Sequence, residues 1–139
     1  MAVTLSYPKP RDPLVKLATV TYADTTARQI MTLPKDAVIV GIYVIGSATA
    51  AGGTLSAATL NIGSTTTATE HVAAFDVFGA TGEGYHAAGA YAVGSAMCTK
   101  LTADTPVYAK YIETAGSGAA AGSWTVKYEY MVPGPGETL

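Results

Sequence analysis

The chain has 139 residues, of which 13% are charged, and its formal net charge is −2 at pH 7. This length suits one domain that can bury a core without stapling by disulfides or metals. The weak negative charge argues against nucleic acid as a partner, because no basic surface is available to neutralise phosphates. The single cysteine, Cys98, excludes an intrachain disulfide and a multi-cysteine zinc site, and we expect it to be a buried thiol.

The N-terminal segment, residues 1–13, contains three prolines. Prolines remove backbone donors and bias the residues before them towards extended conformations. We therefore expect an extended arm that either frays in solution or lies on a neighbouring subunit, with Leu5 and Tyr7 as its apolar anchors. The segment lacks the apolar centre of a signal peptide, and no stretch of the chain is apolar over the length that spans a bilayer. We expect synthesis in the cytoplasm and no membrane partner.

Residues 14–132 form the expected β domain, and residues 133–139 form a short tail. Short runs that alternate between apolar and polar side chains are separated by turns rich in glycine, proline and threonine. This pattern predicts strands over residues 14–22, 28–33, 37–47, 54–62, 90–99, 106–114 and 123–132.

The segment between these strands, residues 63–90, is expected to be a crossover between two sheets. Within it, residues 70–78 show helical spacing of apolar side chains, which favours a short helix or an irregular connection, and residues 79–89 are a glycine-rich loop. Seven or eight strands with almost no helix predict an all-β protein, an antiparallel β-sandwich with jelly-roll-like connectivity.

The third predicted strand, residues 37–47, is apolar on both faces. Val38, Val40, Ile42 and Val44 share one face, which we expect to line the core. An antiparallel strand usually leaves its other face in water, so the second face requires cover by another subunit or by the crossover. The candidate contact residues are therefore Ile39, Tyr43 and Ile45 on this face, with Leu5 and Tyr7 on the arm.

Residues that could carry chemistry are few and scattered. Asp24, Asp36 and Asp104 lie at strand ends, where a carboxylate bonds nearby backbone amides. His71 and His86 lack the spacing of a metal site. Two glycine motifs, Gly82/Gly84/Ala87 and Gly116/Gly118/Ala121, do not open helical patterns, as a dinucleotide site requires. We predict no catalytic residues, no metal, no cofactor and no enzyme activity.

Sugar binding is the alternative that the aromatic residues keep open. Tyrosines and the tryptophan could stack on carbohydrate rings if several of them reached one exposed face. The candidates are Tyr85, Tyr91, Tyr108, Tyr111, Trp124, Tyr128 and Tyr130. Trp124 begins the apolar face of the last predicted strand, so we expect this residue in the core.

Four segments carry a resemblance to a known group of proteins. They read TVTYADTTA at 19–27, MTLPKDAVIVG at 31–41, LTADTPV at 101–107 and WTVKYEY at 124–130. Across residues 16–131, this pattern of turns and strands resembles the tailed-bacteriophage virion structural proteins of the capsid decoration, or cement, type.

The resemblance implies a small β-sandwich or jelly-roll protein on the outer surface of the capsid, made in the cytoplasm of the host. It also implies a homo-oligomer, with a trimer favoured, and the major capsid protein as the partner. The candidate contact residues given above would then be a subunit or capsid interface. The alternative within phage structural proteins is a tail or fibre module that binds a host-surface glycan.

Overall fold

A computed structural model gives the structure of the protein. It describes residues 13–78, 84–86 and 100–133, with only the backbone described at 84–86. Eight β-strands and no helix lie within these ranges. The strands are β1 (Leu14–Thr21), β2 (Arg28–Leu33), β3 (Val38–Ala51), β4 (Ala57–Gly63), β5 (Val72–Asp76), β6 (Gly84–His86), β7 (Thr105–Ala115) and β8 (Ala121–Met131).

The described strands form two four-stranded antiparallel sheets that pack as a sandwich. Sheet I has the order β1-β8-β3-β6, and sheet II has the order β2-β7-β4-β5. The hydrogen-bonded pairs are nested: the first strand lies beside the last, the second beside the seventh, the third beside the sixth and the fourth beside the fifth. This arrangement confirms the predicted all-β sandwich.

The core lies between the sheets and follows from the two-residue period of strands. The inward side chains of β8 are buried, and they are Trp124, Val126, Tyr128 and Tyr130. Tyr111 of β7 stacks on Trp124 from the opposite sheet, with ring centroids 5.7 Å apart and an interplanar angle of 15°. This aromatic contact ties the central strands of the two sheets together.

A β-bulge in β3 corrects one prediction about the third strand. Ile39 pairs with Tyr130 and Gly41 pairs with Glu129, so that β3 advances two residues while β8 advances one. The extra residue, Val40, changes the alternation, because a bulge moves the following side chains to the other face. Ile39 is 0% exposed within the core of its own chain. The prediction that Ile39 lies on the second, uncovered face is therefore wrong, and Val40 does not line the core fully.

The crossover also differs from the prediction. Residues 72–76 form β5, which pairs with β4, and no helix is present in 70–78. Ala74 has a φ of 54° and the β4–β5 register shifts, so the alternation that marks a strand is interrupted. Residues 84–86 form β6 within the expected loop, and β3 continues to Ala51. The strand predicted at 90–99 lies outside the described residues.

Ile39 and Ile45 allow a direct test of which face of β3 is the core. We expect Ile39→Ala to lower the free energy of unfolding by about 2–5 kcal/mol, because it leaves a cavity among buried side chains. Ile45→Ala removes the same atoms from a half-buried position and should cost less than half as much. Urea denaturation of both variants at one low protein concentration measures the difference, and equal losses would contradict the assigned alternation.

Candidate assembly surface

The outer face of sheet I is formed by the side chains of β1, β8 and β3 that point away from the core. Paired residues of adjacent strands share a face, so the register aligns these side chains in rows across the sheet. The rows are Val15–Glu129–Gly41, Leu17–Lys127–Tyr43 and Thr19–Thr125–Ile45. Apolar side chains on β1 and β3 thus flank a charged pair on β8. The structure places predicted residues Tyr43 and Ile45 together here, both half-buried.

The charges at the centre of the outer face compensate each other. The Nζ atom of Lys127 lies 2.9 Å from Oε1 of Glu129 and 4.4 Å from the centroid of the Tyr43 ring. A partly exposed pair of this kind on the protein surface contributes about 1 kcal/mol or less to stability. The more important effect of the pair is that its opposite charges leave no net charge at the centre of the face. A second copy of the same surface can approach it without strong like-charge repulsion.

Gly41 leaves the space that the Tyr43 ring occupies on the outer face of sheet I. A Cβ atom at position 41 would lie 2.9 Å from Cε2 of Tyr43 and 3.4 Å from Oε2 of Glu129. The first distance is shorter than ordinary van der Waals contact, so any larger residue would displace the ring. The glycine therefore lets the ring lie along the sheet and leaves the outer face flat between its rows.

Strand β1 supplies apolar side chains that the sequence analysis did not select. Leu14, Val15 and Leu17 are 51%, 50% and 62% exposed. Single exposed apolar residues are common on soluble proteins, whereas contiguous ones indicate a contact surface. Val15 and Leu17 continue the surface of Tyr43 and Ile45 across the sheet. The signal was present in the sequence, since β1, like β3, carries apolar residues on both faces.

The outer face of sheet II is more polar. Gln29 of β2 lies opposite Tyr108 of β7, and Thr59 of β4 lies opposite Asp76 of β5. Lys110 also lies on this face, because its neighbours Ala109 and Tyr111 are buried. Among the residues that the structure describes, the apolar outer face therefore belongs to sheet I.

The aromatic candidates for sugar binding are mostly in the core. Tyr111, Trp124 and Tyr128 are at most 1% exposed, and Tyr130 is 6% exposed. These rings have no free face for a carbohydrate to stack on. The core placement expected for Trp124 is confirmed. The side chains of Tyr85 and Tyr91 lie outside the described part of the chain, as do Leu5 and Tyr7 of the expected arm.

His71 is a core residue. Its side chain is 2% exposed, and Nδ1 lies 2.6 Å from the hydroxyl oxygen of Tyr128, which joins the residue preceding β5 to β8. Burial lowers the pKa of His71, and the neighbouring carboxylate of Glu70 opposes that shift only partly. The imidazole is therefore neutral near pH 7, and its position suits a structural bond across the sandwich.

The loop before His71 is organised by Glu70. Its carboxylate accepts hydrogen bonds from the hydroxyl groups of Thr65 and Thr67 and from the backbone amide of Thr69, the last at 3.2 Å. Burial raises the pKa of Glu70, but hydrogen bonds from the Thr65 hydroxyl, the backbone amide of Glu70 itself, the Thr67 hydroxyl and the Thr65 amide outweigh it and lower the pKa to about 2. The carboxylate therefore stabilises the conformation of the β4–β5 loop.

The remaining polar candidates also bond the backbone or ion-pair at strand ends. Asp24 accepts a hydrogen bond from the Thr21 amide at 2.9 Å, and Asp104 accepts one from the Lys35 amide at 2.8 Å. Asp36 occupies a turn, with a φ of 68° and the Lys100 ammonium at 3.8 Å.

One of the two glycine motifs can be placed in the structure, and the other, Gly82/Gly84/Ala87, lies largely outside the described residues. The Gly116 motif lies between β7 and β8, so a strand follows it where a dinucleotide site needs a helix. Within the described ranges, no three histidine, cysteine or acidic side chains cluster closely enough to hold a metal ion. The side chain of His86 and the whole of Cys98 lie outside these ranges. The described residues include no helix long and apolar enough to cross a bilayer.

Comparison with known proteins gives one structural relationship. No protein-family model matches the chain, and no curated protein matches it significantly. The fold is similar to that of a chain in the solved structure described as "Cyanophage Pam1 capsid asymmetric unit", with a TM-score of 0.64 and 20% sequence identity. The similarity covers 95% of this chain and 94% of that chain. The two proteins therefore share their fold over almost their whole lengths.

The free energy of unfolding should fall in two separate pH ranges on acidification, one because of His71 and one because of Glu70. The folded pKa of His71 lies below its ordinary value of 6.5, so its contribution is present above that pH and is lost as the pH falls below it. The folded pKa of Glu70, about 2, lies below its ordinary value of 4.5, so its contribution is lost as the pH falls from 4.5 towards 2.

Denaturation across pH separates these contributions. We expect His71→Gln to flatten the fall in unfolding free energy between about pH 7 and about pH 5, since the titrating group is removed. Glu70→Gln should flatten only the more acidic range. A His71→Gln profile parallel to that of the unmodified protein between about pH 7 and about pH 5 would show that His71 is not the group responsible.

Proposed function

We propose that this protein is a non-enzymatic structural component of a tailed-bacteriophage virion. The fold shared with a chain of a cyanophage capsid unit, over 95% of the present chain, is the observation that carries the proposal. Within that class we infer a decoration, or cement, protein on the outer capsid surface. It would form a homotrimer and contact the major capsid protein. The nested strand order supports the jelly-roll connectivity expected from the sequence.

The outer face of sheet I is the proposed contact between subunits or with the capsid, through Tyr43 and Ile45. An apolar patch of about 300 Å² is typical of the larger patches on a soluble monomer. Its burial contributes about 7 kcal/mol at about 25 cal/mol per Å². Association costs at least about 4 kcal/mol in lost translational and rotational freedom. One such contact is therefore weak by itself, and repetition over a shell, with added contacts from the arm, makes it effective.

The arm is the second proposed contact element. Residues 1–13 precede β1 directly and carry Leu5 and Tyr7 as their anchors. An extended segment can cover a neighbour without disturbing the folding of the β domain at residues 14–132.

The glycan-binding alternative has less support. It requires several aromatic rings at one exposed location, yet Tyr111, Trp124 and Tyr128 are buried in the core. Tyr108, half-buried on the outer face of sheet II, is the one described candidate with part of its ring accessible. A single ring does not form the stacking platform that this function needs.

Light scattering and co-sedimentation test the proposal together. The purified protein should be a stable oligomer and should sediment with capsids that lack it. The double variant Tyr43→Ser/Ile45→Ser should shift the oligomer towards monomer and weaken capsid binding, because it removes apolar area from the outer face of sheet I. A stable monomer that does not bind capsids would overturn the proposal.

Tyr108→Ser provides the matched control for the double variant. Tyr108 is a half-buried tyrosine on the outer face of sheet II, so its replacement removes a similar side chain from the other side of the sandwich. Oligomer mass and capsid binding should be unchanged. An equal loss in both variants would show that the effect is a general loss of stability and would contradict the assignment to sheet I.

A further inference from the structure

Strand β1 forms an edge of sheet I. In the C-terminal half of this edge, side chains hydrogen-bond the backbone groups that point away from β8. Among the described residues β1 pairs only with β8. The carbonyl of Thr19 accepts a hydrogen bond from Nη2 of Arg28 at 2.7 Å, and the amide of Thr21 donates to Oδ2 of Asp24 at 2.9 Å. These backbone groups therefore point away from β8, and the Asp24–Arg28 ion pair, at 2.6 Å, covers them.

Within the described ranges, no strand and no side-chain hydrogen bond occupies the N-terminal half of the same edge. In an antiparallel strand the N–H and C=O groups of alternate residues point to the same side. Val15 and Leu17 have the same alternation as Thr19, so their backbone groups also face away from β8. Their side chains are at least 50% exposed. The Lys16 ammonium bonds the carbonyl of Thr32 in sheet II and so does not protect this edge.

An open edge with exposed apolar side chains is a site where another extended chain can add as a strand. Natural proteins usually block such edges with charges or prolines, or cover them. In this chain the side chains of Asp24 and Arg28 protect the edge only at Thr19 and Thr21 and do not reach Leu17. The unblocked part has room for a short segment whose alternation matches that of Val15 and Leu17.

We propose that the open edge of β1 accepts residues 4–9 of a second copy as an added antiparallel strand. The inference deepens the assembly role proposed above, because it requires two copies in contact. Twelve residues precede the described part of the chain, and they end next to β1. Their apolar residues Leu5 and Tyr7 are two positions apart, as are Val15 and Leu17. The matching register pairs Leu5 with Leu17 and Tyr7 with Val15.

The prolines of the arm fit this arrangement. Pro8 and Pro10 alternate with Tyr7, so in an added strand their missing N–H groups would lie on the side away from β1. Proline is tolerated in an edge strand at such positions. The paired residues would share a face, and Leu5 and Tyr7 would extend the outer face of sheet I beyond Val15 and Leu17.

A second copy fits this edge better than the arm of the same chain. Pairing with its own β1 would require the chain to reverse between Tyr7 and Val15. That stretch contains three prolines and no glycine, and residues before proline favour extended conformations. Proline-rich segments are in general semi-rigid spacers, so a stretch of this composition favours a path that takes Leu5 and Tyr7 away from their own strand.

Disulfide trapping tests the pairing. The protein has one native cysteine, so Leu5→Cys/Leu17→Cys is made in a Cys98→Ser background. Opposed residues of antiparallel strands lie within the Cα separation that a disulfide spans. Mild oxidation should give covalent dimers and larger species on non-reducing electrophoresis, and reduction should return them to monomer. Leu17 is 62% exposed, so its replacement leaves the core intact.

Ser6→Cys/Leu17→Cys in the same background is the matched control. Its first cysteine is one position away and faces the opposite side of the added strand, so it should cross-link several-fold less. A disulfide within one chain would overturn the inference in favour of the chain's own arm. Absence of cross-links, or equal cross-linking in the control, would also overturn it.

The outcome is distinguishable from failure of the proposed function, because cross-linking uses the purified protein without capsids. Cross-linked species from a protein that ignores capsids would support the strand pairing and contradict the decoration role. Capsid binding by a protein that forms no specific cross-link would contradict the strand pairing alone. Cooperative unfolding of the Cys98→Ser background and the double variants establishes that all of them are folded.

Discussion

The bulge at Val40 determines the chemistry of both faces of the central strand. Strands β3 and β8 are neighbours in the middle of sheet I, and a slip of one residue between them exchanges core and surface side chains. The extra residue lets Ile39 face the core while Tyr43 and Ile45 face outward. The rows that continue through β8 to Val15 and Leu17 depend on this register. The apolar outer face of sheet I is therefore a consequence of how one strand pair accommodates a single additional residue.

The same register explains how an apolar surface coexists with a well-packed core in each subunit. The rings of Tyr111, Trp124 and Tyr128 are buried in the core, and the apolar side chains on the outer face are aliphatic residues and Tyr43. The Lys127–Glu129 pair places polar groups at the centre of that face, and its opposite charges leave no net charge there. A surface of this kind is moderately apolar and electrostatically neutral, which suits weak contacts repeated many times.

The sequence predicted the bounds of four strands closely and failed at two places where the backbone is irregular, the bulge in β3 and the positive φ of Ala74 in β5. Strands β1, β2, β7 and β8 lie within a residue or two of their predicted bounds. Ile39 was misplaced because a bulge is a backbone event, although a glycine inside an apolar strand, Gly41, is a recognised signal of one. Strand β5 was not predicted, and a short helix or an irregular connection was expected at 70–78, because the positive φ of Ala74 breaks the period that identifies strands.

The candidate site was predicted in part for a related reason. Tyr43 and Ile45 were identified because β3 is apolar on both faces, and the structure places them on the outer face. Val15 and Leu17 were missed although β1, like β3, carries apolar residues on both faces. The position of β1 at the edge of the sheet, which makes those side chains accessible, is a property of topology and not of local sequence.

Hydroxyl-radical footprinting tests most directly whether sheet I carries the contact. Tyr43 and Tyr108 are both half-buried tyrosines, and they lie on opposite outer faces of the sandwich. Their modification rates are compared in the purified protein as its concentration is raised through the range of association. The account predicts that Tyr43 becomes protected while Tyr108 keeps its rate. Protection of Tyr108 with Tyr43 unchanged would contradict it.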